Sequence, residues 1–402
     1  MKENRKGDIF MSLVNTPSGN RLHIGIFGKR NSGKSSLLNA ITGQEIALVS
    51  EVKGTTTDPV SKAMEIHPIG PCLLIDTAGF DDTGDLGNMR IEKTKAVLDK
   101  TDVAVVVFSD MQMELETQWI AMLRQRKIPI LAVVNQVDRI EQVQEIKRQI
   151  EQRFSLTPLL VSAKEKTGIS QMKHEILRLM PPDFEAQSLT GSLVQPEDVV
   201  LLVMPQDKQA PKGRLILPQV QTIRDLLDNH CVVMCVTTEQ LSTALQALAK
   251  PPKLIITDSQ AFAQVYPLKP AETLLTSFSI LLAAYKGDLS AFVKGANALD
   301  SLTDDSHVLI AEACTHAPLQ EDIGRVKIPN MLRKKYGEHL QVTVVSGSQF
   351  PKDLSEYQLI IHCGACMFNR KHVLTRVEQA EQQGVPITNY GVVLAKLTGI
   401  LD

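Results

Sequence analysis

A glycine-rich segment near the start of the chain constrains the fold more than any other feature of the sequence. Residues 28–35 match the pattern G-x-x-x-x-G-K-S/T, after a predicted strand at 22–27 and before a helical pattern at 36–41. In that context the glycines let backbone N–H groups surround phosphate oxygens at the N-terminus of a helix. Lys34 is then expected to reach the β- and γ-phosphates, and the Ser35 hydroxyl to hold Mg²⁺. The segment therefore predicts a nucleotide-binding α/β domain.

Polar segments downstream supply the other groups that a phosphate switch needs. Thr56 lies in a threonine-rich loop and is predicted to complete the Mg²⁺ shell. Asp76 ends a predicted strand and can hold Mg²⁺ through water, while the N–H of Gly79 can bind the γ-phosphate and release it after hydrolysis. We therefore expect Lys34, Thr56 and Gly79 to act in hydrolysis. Further phosphate and cation contacts are expected from Asn31, Ser32, Gly33, Ser35 and Ser36.

Two later segments predict that the base is guanine. Asn135 and Asp138 follow a predicted strand, and the Asp138 carboxylate can accept hydrogen bonds from the N1–H and the 2-amino group of guanine. Adenine offers neither donor, so a buried acceptor would stay unpaired with it. Ser162, Ala163 and Lys164 are expected to close the far side of the base. All these segments, in this order at strand ends of a βα pattern, predict a domain that binds GTP and GDP.

Composition excludes several other classes of protein. The chain has 402 residues, enough for about two to three domains, and 43% hydrophobic against 22% charged residues, as in ordinary globular proteins. A formal net charge of −2 gives no basic field for nucleic acid, and neither a signal peptide nor a membrane-spanning apolar run is visible. Six cysteines in a chain of this length do not form a disulfide scaffold. We expect a cytoplasmic protein that binds neither nucleic acid nor membrane.

A second candidate site lies near the C-terminus, where cysteines and histidines recur at short spacing. Cys314 and His316 form a Cys-x-His segment, and after a gap of 45 residues His362, Cys363 and Cys366 form His-Cys-x-x-Cys. Both segments follow predicted strands, so parallel strands can carry them to one edge of a sheet. Three thiolates suit an iron–sulfur cluster or zinc, and the spacing leaves both open. Each histidine is either a fourth ligand or a hydrogen-bonding neighbour of the ligands.

Alternating strand and helix patterns continue through the rest of the chain. They predict an α/β protein with three domains: the nucleotide-binding domain at 1–182, a small parallel α/β connector at 183–268 and a cysteine-bearing parallel α/β domain at 269–402. The connector shows no catalytic group and is expected to serve assembly. Apolar strands are predicted at 103–108, 130–134 and 254–257, and a helix at 271–285. The remaining cysteines are predicted to be small buried hydrophobic residues: Cys72, Cys231 and Cys235.

The first 182 residues resemble the translation-factor-type GTPases of the Era and tRNA-modification branch. By that resemblance, Asn31 matches the asparagine through which some members bind K⁺ beside the phosphates. Gln136 stands where the family pattern Asn-Lys-x-Asp has lysine, and Phe80 stands where Ras-like enzymes carry a water-orienting glutamine. The resemblance implies a slow, Mg²⁺-dependent and K⁺-stimulated GTP hydrolase in which one contact across the base is changed.

The whole chain resembles the HydF-type family of FeFe-hydrogenase maturation GTPases. The resemblance rests on the order of the domains, on the Cys-x-His and His-Cys-x-x-Cys segments, and on the stretches 212–219 and 321–329. It implies that a 4Fe-4S cluster is held by Cys314, Cys363 and Cys366. The fourth iron would then take an exchangeable ligand, for which the candidates are His316, His362, Glu321, a nearby carboxylate or water.

That resemblance also implies a biological role. The chain would be a homodimeric scaffold and carrier that accepts a di-iron precursor from radical-SAM maturases and delivers it to apo FeFe-hydrogenase. One alternative is a ribosome- or tRNA-associated GTPase with a structural zinc module, against which the near-neutral charge and the 4% aromatic residues count. A second alternative is a metal-dependent enzyme under GTPase control, but no further acid–base constellation accompanies the cysteines.

Overall fold

The computed structural model describes residues 16–43, 60–77, 96–182, 184, 188–205, 215–313, 322–347 and 349–401. Residue contacts divide the chain into two compact units, Met1–Glu185 and Ala186–Asp402. Several residues to which the sequence assigns a role lie outside the described residues: Thr56, Gly79, Phe80, Cys314, His316 and Glu321. No helix in the described part of the chain combines the length and the apolar character needed to cross a bilayer.

The first unit is built on a six-stranded sheet in the order β2-β3-β1-β4-β5-β6. Its strands are β1 Leu22–Gly28, β2 Val60–Ile66, β3 Gly70–Asp76, β4 Val103–Phe108, β5 Ile130–Val134 and β6 Leu159–Leu160. Its helices of eight residues or more within the described residues are α1 Lys34–Thr42, α2 Glu114–Gln125, α3 Val143–Phe154 and α4 Ile169–Leu179. All strand pairs are parallel except β2 with β3, which are antiparallel.

Helices cover both faces of this sheet, which explains why β4 and β5 are apolar at every position. Alternate residues of β4 point to opposite sides, so that Val105 joins one core and Val106 the other. The first core includes Leu37 of α1, and the second includes Trp119 of α2. The predicted α/β nucleotide-binding fold is confirmed, and the carboxyl ends of β1, β3 and β5 are where its polar segments emerge.

The second unit contains two four-stranded sheets, which we call the middle sheet and the C-terminal sheet. The middle sheet runs β10-β9-β7-β8 and consists of β7 Val199–Val203, β8 Val232–Val236, β9 Leu254–Thr257 and β10 Leu274–Ser277. Its helices are α5 Leu217–Asp228, α6 Leu241–Ala247, α7 Phe262–Val265 and α8 Phe278–Lys286. The prediction of a parallel α/β unit after the nucleotide domain is confirmed, since all its strand pairs are parallel.

The C-terminal sheet runs β12-β11-β13-β14 and is also parallel throughout. Its strands are β11 His307–Glu312, β12 Gln341–Ser346, β13 Leu359–His362 and β14 Ile387–Asn389. Its helices are α9 Leu289–Ala296, α10 Ile328–Tyr336, α11 Arg370–Gln382 and α12 Tyr390–Leu397. The π-helical turn Ile323–Lys327 leads into α10, and the 3-10 turn Asn297–Ser301 follows α9.

The two sheets of the second unit have the same strand order. In each sheet the chain lays down a first strand, places the second on one side of it, and places the third and fourth on the other side. The order therefore reverses between the first and third strands, and the carboxyl ends at such a point form the ligand crevice of open parallel sheets. In the C-terminal sheet those strands are β11 and β13, the two that precede the cysteine segments.

The helix predicted at 271–285 is wrong in its first half. Leu274–Ser277 forms β10, which pairs with β9 at the edge of the middle sheet, and only Phe278–Lys286 is helical. A short apolar run fits either period, so pairing with a neighbouring strand decided between them. The middle sheet thus takes a strand from beyond residue 268, where the sequence analysis ends the connector.

The prediction of burial for the three remaining cysteines is right for two of them. Cys72 in β3 and Cys231 before β8 are buried, but Cys235 is exposed. β8 is an edge strand of the middle sheet, and its Val232 is also exposed. The sequence does not show that this strand lies at a sheet edge, where side chains of the strand can remain exposed.

Candidate nucleotide and metal sites

The glycine-rich loop joins the end of β1 to the start of α1. Gly33 adopts the left-handed conformation, with φ +81°, and a Cβ there would lie 2.4 Å from Nδ2 of Asn135. Both the backbone conformation and the lack of space therefore require glycine at this position. Asn31 is also left-handed, with φ 63°, a conformation that asparagine tolerates better than most residues.

The side chain of Lys34 folds back over this loop. It is 8% exposed, and its ammonium donates hydrogen bonds to the carbonyl oxygens of Gly28 at 2.8 Å and Lys29 at 2.6 Å. Ser32 Oγ donates to the Lys29 carbonyl at 2.9 Å. The loop is thereby held closed around a buried cation, which is the arrangement needed to attract phosphate.

Asp76, the last residue of β3, carries an unpaired buried oxygen. Its Oδ1 has no hydrogen-bond partner within the described part of the chain. Burial raises the pKa of Asp76, against the lowering effects of the Lys34 charge and of a hydrogen bond from Ser35. An orphaned carboxylate oxygen beside a serine hydroxyl is a donor set that suits Mg²⁺, which prefers oxygen ligands.

Asn135 connects the glycine-rich loop to the segment that follows β6. Its side chain is fully buried, its Nδ2 donates to the Ser32 carbonyl at 3.0 Å, and its Oδ1 accepts from the N–H of Ala163 at 3.2 Å. Gln136, which replaces the family lysine, donates from Nε2 to the carbonyl of Asn31 at 2.9 Å. The glutamine therefore still ties the base-recognition segment to the phosphate loop.

The Asp138 carboxylate is pre-positioned by a neighbouring hydroxyl. Ser162 Oγ donates to Asp138 Oδ1 at 2.6 Å, and this hydrogen bond is the main reason that the pKa of Asp138 is lowered. The same Ser162 Oγ accepts from the N–H of Glu165 at 3.1 Å, while Lys164 is exposed. The carboxylate is thus kept ionised and oriented, as an acceptor for two donors of a guanine base must be.

The cysteine segments leave the C-terminal sheet from adjacent strands. β11 and β13 pair in parallel, with Ala311 opposite His362. The N–H of Ala313, the residue directly before Cys314 in the sequence, donates to the Sγ of Cys363 at 3.0 Å. The N–H of Ala365 approaches the same sulfur at 3.4 Å. Burial raises the pKa of the Cys363 thiol to about 11, and the two N–H groups act in the opposite direction by favouring the thiolate.

A buried lysine holds the loop between the two cysteines. Lys286, the last residue of α8, is 1% exposed. Its ammonium donates to the carbonyl oxygens of Ala365 at 3.1 Å, Cys366 at 3.0 Å and Phe368 at 2.7 Å. Burial lowers the pKa of Lys286 to about 8, while the charges of Cys366 and Cys363 raise it.

His362 has both ring nitrogens engaged. It is 1% exposed, its Nδ1 lies 2.8 Å from the Cys363 carbonyl, and Nη1 of Arg376 lies 3.0 Å from its Nε2. Because the guanidinium can only donate, Nε2 accepts and Nδ1 carries the proton. Burial and the Arg376 charge lower the pKa of His362 to about 3. A neutral imidazole bonded at both nitrogens orients the Cys363 backbone and has no free lone pair for a metal in this arrangement.

Aromatic rings enclose the guanidinium of Arg376. Its Cζ lies 4.8 Å from the centroid of Phe350 and 4.7 Å from that of Phe368, and the residue is 2% exposed. Asn389 completes the surroundings, since its Nδ2 donates to the Cys363 carbonyl at 3.2 Å. Three polar residues around the cysteine loop were not predicted from the sequence: Lys286, Arg376 and Asn389. The one available signal was that Lys286 ends a helix that is otherwise strongly apolar.

Within the described residues, no group of three or more histidine, cysteine, aspartate or glutamate side chains is arranged to hold a metal ion. Cys363 and Cys366 are described, whereas Cys314 and His316 lie outside the described ranges, as do Thr56 and Gly79 of the nucleotide site. The structure therefore brings Cys363 close to the start of the segment that carries Cys314, without describing that segment.

Comparison with protein-family models decides the family. Residues 189–287 match the hydrogen maturase F dimerization domain, and residues 290–402 match the hydrogen maturase F tetramerization domain. The chain belongs to the hydrogen maturase F family. Residues 23–136 match the model of a 50S ribosome-binding GTPase, so the N-terminal part of this hydrogen maturase F chain is a GTPase domain.

Curated relatives that are GTPases match part of the chain. The chain is 33% identical over 172 residues to GTPase Der from Wolinella succinogenes, covering 39% of this chain and 36% of the relative. It is 38% identical over 162 residues to the tRNA modification GTPase MnmE from Bordetella petrii, covering 39% of this chain and 33% of the relative. The chain thus spans about a third of the length of these relatives. Among solved structures it is similar to Aquifex aeolicus Era with bound GDP and AlF4⁻, at 18% identity and a TM-score of 0.35, covering 54% of this chain and 92% of that one.

Proposed function

We propose that the chain is a slow, K⁺-stimulated GTP hydrolase that serves as scaffold and carrier in FeFe-hydrogenase maturation. It would hold a 4Fe-4S cluster on Cys314, Cys363 and Cys366, accept a di-iron precursor from radical-SAM maturases, and deliver that precursor to apo-hydrogenase. One observation carries the proposal: the residue before Cys314 donates its N–H to the sulfur of Cys363. The matches to two hydrogen maturase F domain models support the role in maturation.

The surroundings of Cys363 fit a ligand of an iron–sulfur cluster. Its sulfur accepts N–H hydrogen bonds from Ala313 and Ala365, and such bonds stabilise a thiolate and tune its cluster. Cys314 follows Ala313 directly in the sequence, and the N–H of Ala313 already donates to the Cys363 sulfur. The proposal requires the sulfur of Cys314 to lie close to that of Cys363. When bound, a 4Fe-4S cluster on three cysteines leaves one iron open to an incoming ligand. We propose that His362 orients the loop and that the exchangeable ligand is His316, Glu321 or water.

The nucleotide site supports GTP hydrolysis with Mg²⁺. Lys34 would leave its carbonyl partners for the β- and γ-phosphates, and Ser35 with Thr56 would bind Mg²⁺ directly. Asp76 would bind Mg²⁺ through water, which gives a partner to its orphaned Oδ1. The N–H of Gly79 would contact the γ-phosphate and lose that contact after hydrolysis. Asp138, held by Ser162, would select guanine.

A turnover assay tests this part of the proposal. We expect slow GTP hydrolysis that is faster in K⁺ than in Na⁺, and we expect Asn31→Ala to remove the difference between the two cations. Lys164→Ala serves as the control, because it changes an exposed residue of the base-recognition segment and leaves the phosphate loop intact; the difference between K⁺ and Na⁺ should persist in it. Equal and fast rates in both salts would overturn the proposal.

Hydrolysis would regulate partner exchange rather than drive chemistry at the cysteines. A nucleotide switch can alter the affinity for a partner only through contacts that differ between its two states. The expected observation is that apo-hydrogenase and a radical-SAM maturase bind with different affinities to the GTP- and GDP-loaded forms. Identical affinities in both forms would exclude this role.

Metal analysis after anaerobic purification separates the proposal from its main alternative. We expect a brown protein with about four iron and four sulfide per chain, and we expect Cys314→Ala to lose most of both. A colourless protein with one zinc would favour a ribosome- or tRNA-associated GTPase with a structural zinc module. The match of residues 23–136 to a 50S ribosome-binding GTPase model keeps that alternative in view.

We also propose that a second copy of the chain covers the outer edge of the middle sheet. Val220 and Leu227 of α5 and Val232 of β8 are 48%, 54% and 56% exposed. β8 is the edge strand there, and this region falls within the match to a dimerization domain. Val232→Asp is expected to shift the protein from dimer to monomer in size-exclusion chromatography with light scattering. Leu268→Asp, an exposed leucine in the turn before the opposite edge strand, should leave the dimer intact.

A further inference from the structure

The buried ammonium of Lys286, in the second unit, has no role in the site as described so far. Lysine is almost never fully buried unless it is paired, yet this side chain is 1% exposed. Its three N–H donors all bond backbone carbonyl oxygens of the segment Ala365–Phe368, and among the described residues no carboxylate forms an ion pair with it. A cation removed from water without a carboxylate partner needs another source of negative charge.

The segment that Lys286 holds is the one that carries the cysteine pair. Cys366 is itself one of the three residues whose carbonyl oxygens accept from the ammonium, and a Cβ added to Gly364 would lie 3.9 Å from Ser279 near the other end of α8. α8 therefore borders the loop near both of its ends. Deprotonated cysteines are the groups in this loop that can supply the missing negative charge.

Arg370 supports the same arrangement from the other direction. It lies at the start of α11, directly after the loop, and its Nη1 donates to the carbonyl oxygens of Tyr285 at 2.9 Å and Gly287 at 3.0 Å. The end of α8 therefore holds the loop through Lys286, and the helix after the loop holds the end of α8 through Arg370. These reciprocal bonds fix the position of the loop relative to α8.

The equivalent helix of the C-terminal sheet provides an internal comparison. α8 and α12 each follow the fourth strand of their sheet, and each begins after a capping residue, Ser277 or Asn389. Lys286 lies nine residues after its cap, and the residue nine after Asn389 is Thr398. Within the part of the chain that the structure describes, the Thr398 hydroxyl donates to carbonyls of its own helix, those of Leu394 and Ala395. Of these two helices, α8 contacts the cysteine loop, and α8 is the one that carries the lysine.

We propose that Lys286 is the positioning residue of the cysteine pair: its buried ammonium fixes the Cys363–Cys366 loop through three backbone carbonyls and offsets the charge of the thiolates. This inference rests on the proposed function in that the thiolates are taken to ligate a cluster. Lys286 does not touch the metal in this proposal. It sets where the two sulfurs lie and how much negative charge the site tolerates.

Two variants separate position from charge. Lys286→Met removes the ammonium and keeps the length of the side chain, while Lys286→Arg keeps the charge with a different donor geometry. Lys396→Met is the matched control, because it removes an ammonium from α12 that pairs with Asp300 on the surface of the same unit. Circular dichroism and urea unfolding show first that each variant is folded.

Three measurements on the full chain give the outcomes. In hydrogen exchange without metal, Lys286→Met should exchange the amides of 364–368 at least about tenfold faster than wild type. After anaerobic reconstitution, it should lose iron to a chelator about 10- to 100-fold faster, the range for lost partners of metal ligands. Its reduction potential, followed by EPR, should shift to more negative values, while Lys286→Arg should keep the potential and lose iron faster.

Each result bears on one of the two proposals. A wild-type protein that binds no iron–sulfur cluster refutes the proposed function, whereas the hydrogen-exchange result still tests the loop. A wild type that binds the cluster, together with a Lys286→Met variant that matches the Lys396→Met control in all three measurements, overturns the role of Lys286. Failure of both Lys286 variants to fold also overturns it, because the proposed role is confined to the loop.

Discussion

The middle and C-terminal sheets of the second unit share one strand order and differ in what emerges from it. In both, the order reverses between the first and third strands. After the third strand the C-terminal sheet presents Cys363 and Cys366, whereas the middle sheet presents Asp258, Ser259 and Gln260. The shared topology provides a crevice, and the residues at the strand ends decide whether chemistry takes place there.

The comparison extends to the hydrophobic cores. Cys363 packs against the core of the C-terminal sheet, while Cys366 packs against the core that the middle sheet forms with α5 and α8. The two cysteines are separated by only two residues in sequence and pack against different cores. A site built on them therefore depends on how the two sheets are positioned, and α8 contributes side chains to both cores.

The largest expected effect concerns the cysteines of the two sheets. Cys363→Ala should remove most of the iron bound after anaerobic reconstitution, because it deletes a proposed ligand whose sulfur already accepts two N–H bonds. Cys235→Ala, in the exposed edge strand of the middle sheet, should leave iron content unchanged. Iron and sulfide per chain are measured in both. Equal losses of iron in the two variants would contradict the assignment of the iron site to the C-terminal sheet.

A smaller effect is expected where the two equivalent helices cross. Gly391 of α12 lies opposite Ser279 of α8, and both stand two residues after their capping residues. A Cβ on Gly391 would lie 2.5 Å from Ser279 Oγ and 2.8 Å from Ile280 Cγ1. Gly391→Ala should therefore destabilise the second unit by about 1–3 kcal/mol, the cost of overpacking, despite the better helix propensity of alanine.

Urea unfolding of the full chain measures that change. Ser279→Gly combined with Gly391→Ala should recover part of the lost stability, because it removes the hydroxyl that the new methyl group meets. A Gly391→Ala variant as stable as wild type would show that the helices do not cross closely at this point.

The smallest effect separates the two helix caps. Ser277 Oγ accepts from the N–H of Ile280, and Asn389 Oδ1 accepts from the N–H of Gly391. Replacing either by alanine should cost about 1 kcal/mol of stability. Asn389→Ala should in addition speed the loss of iron, because Asn389 also donates to the Cys363 carbonyl. If Ser277→Ala accelerated iron loss as much as Asn389→Ala, the bond from Asn389 to the Cys363 carbonyl would not be what distinguishes the two caps.

The elements that carry strong local patterns were predictable. The strands Val103–Phe108, Ile130–Val134 and Leu254–Thr257 have the bounds that the sequence indicates, because buried apolar runs between polar turns leave few other choices. β2 was not anticipated, and β10 was assigned to a helix. Both are sheet edges, where the partner strand rather than the local pattern fixes the conformation.

The residues that surround the candidate sites were less predictable than the sites themselves. Gln136 stood out in the sequence as a departure from the family lysine, but only the structure shows that it still bonds the Asn31 carbonyl. Arg376 looks like a surface residue on α11 and is instead enclosed by two aromatic rings. Burial of a charged side chain depends on groups from distant segments, so no local pattern reports it.

By itself, the sequence determined the chemical groups of this protein and their order along the chain. The glycines, the lysine and the acidic residues at strand ends form motifs only a few residues long, so a local stretch of sequence is enough to recognise them. Tertiary structure alone decided which of those groups meet. It put the N–H of Ala313 on the sulfur of Cys363 and buried the ammonium of Lys286 beneath the cysteine loop. Strand pairing and core packing join segments dozens of residues apart, and the free energy of such contacts is not expressed in any local stretch of sequence.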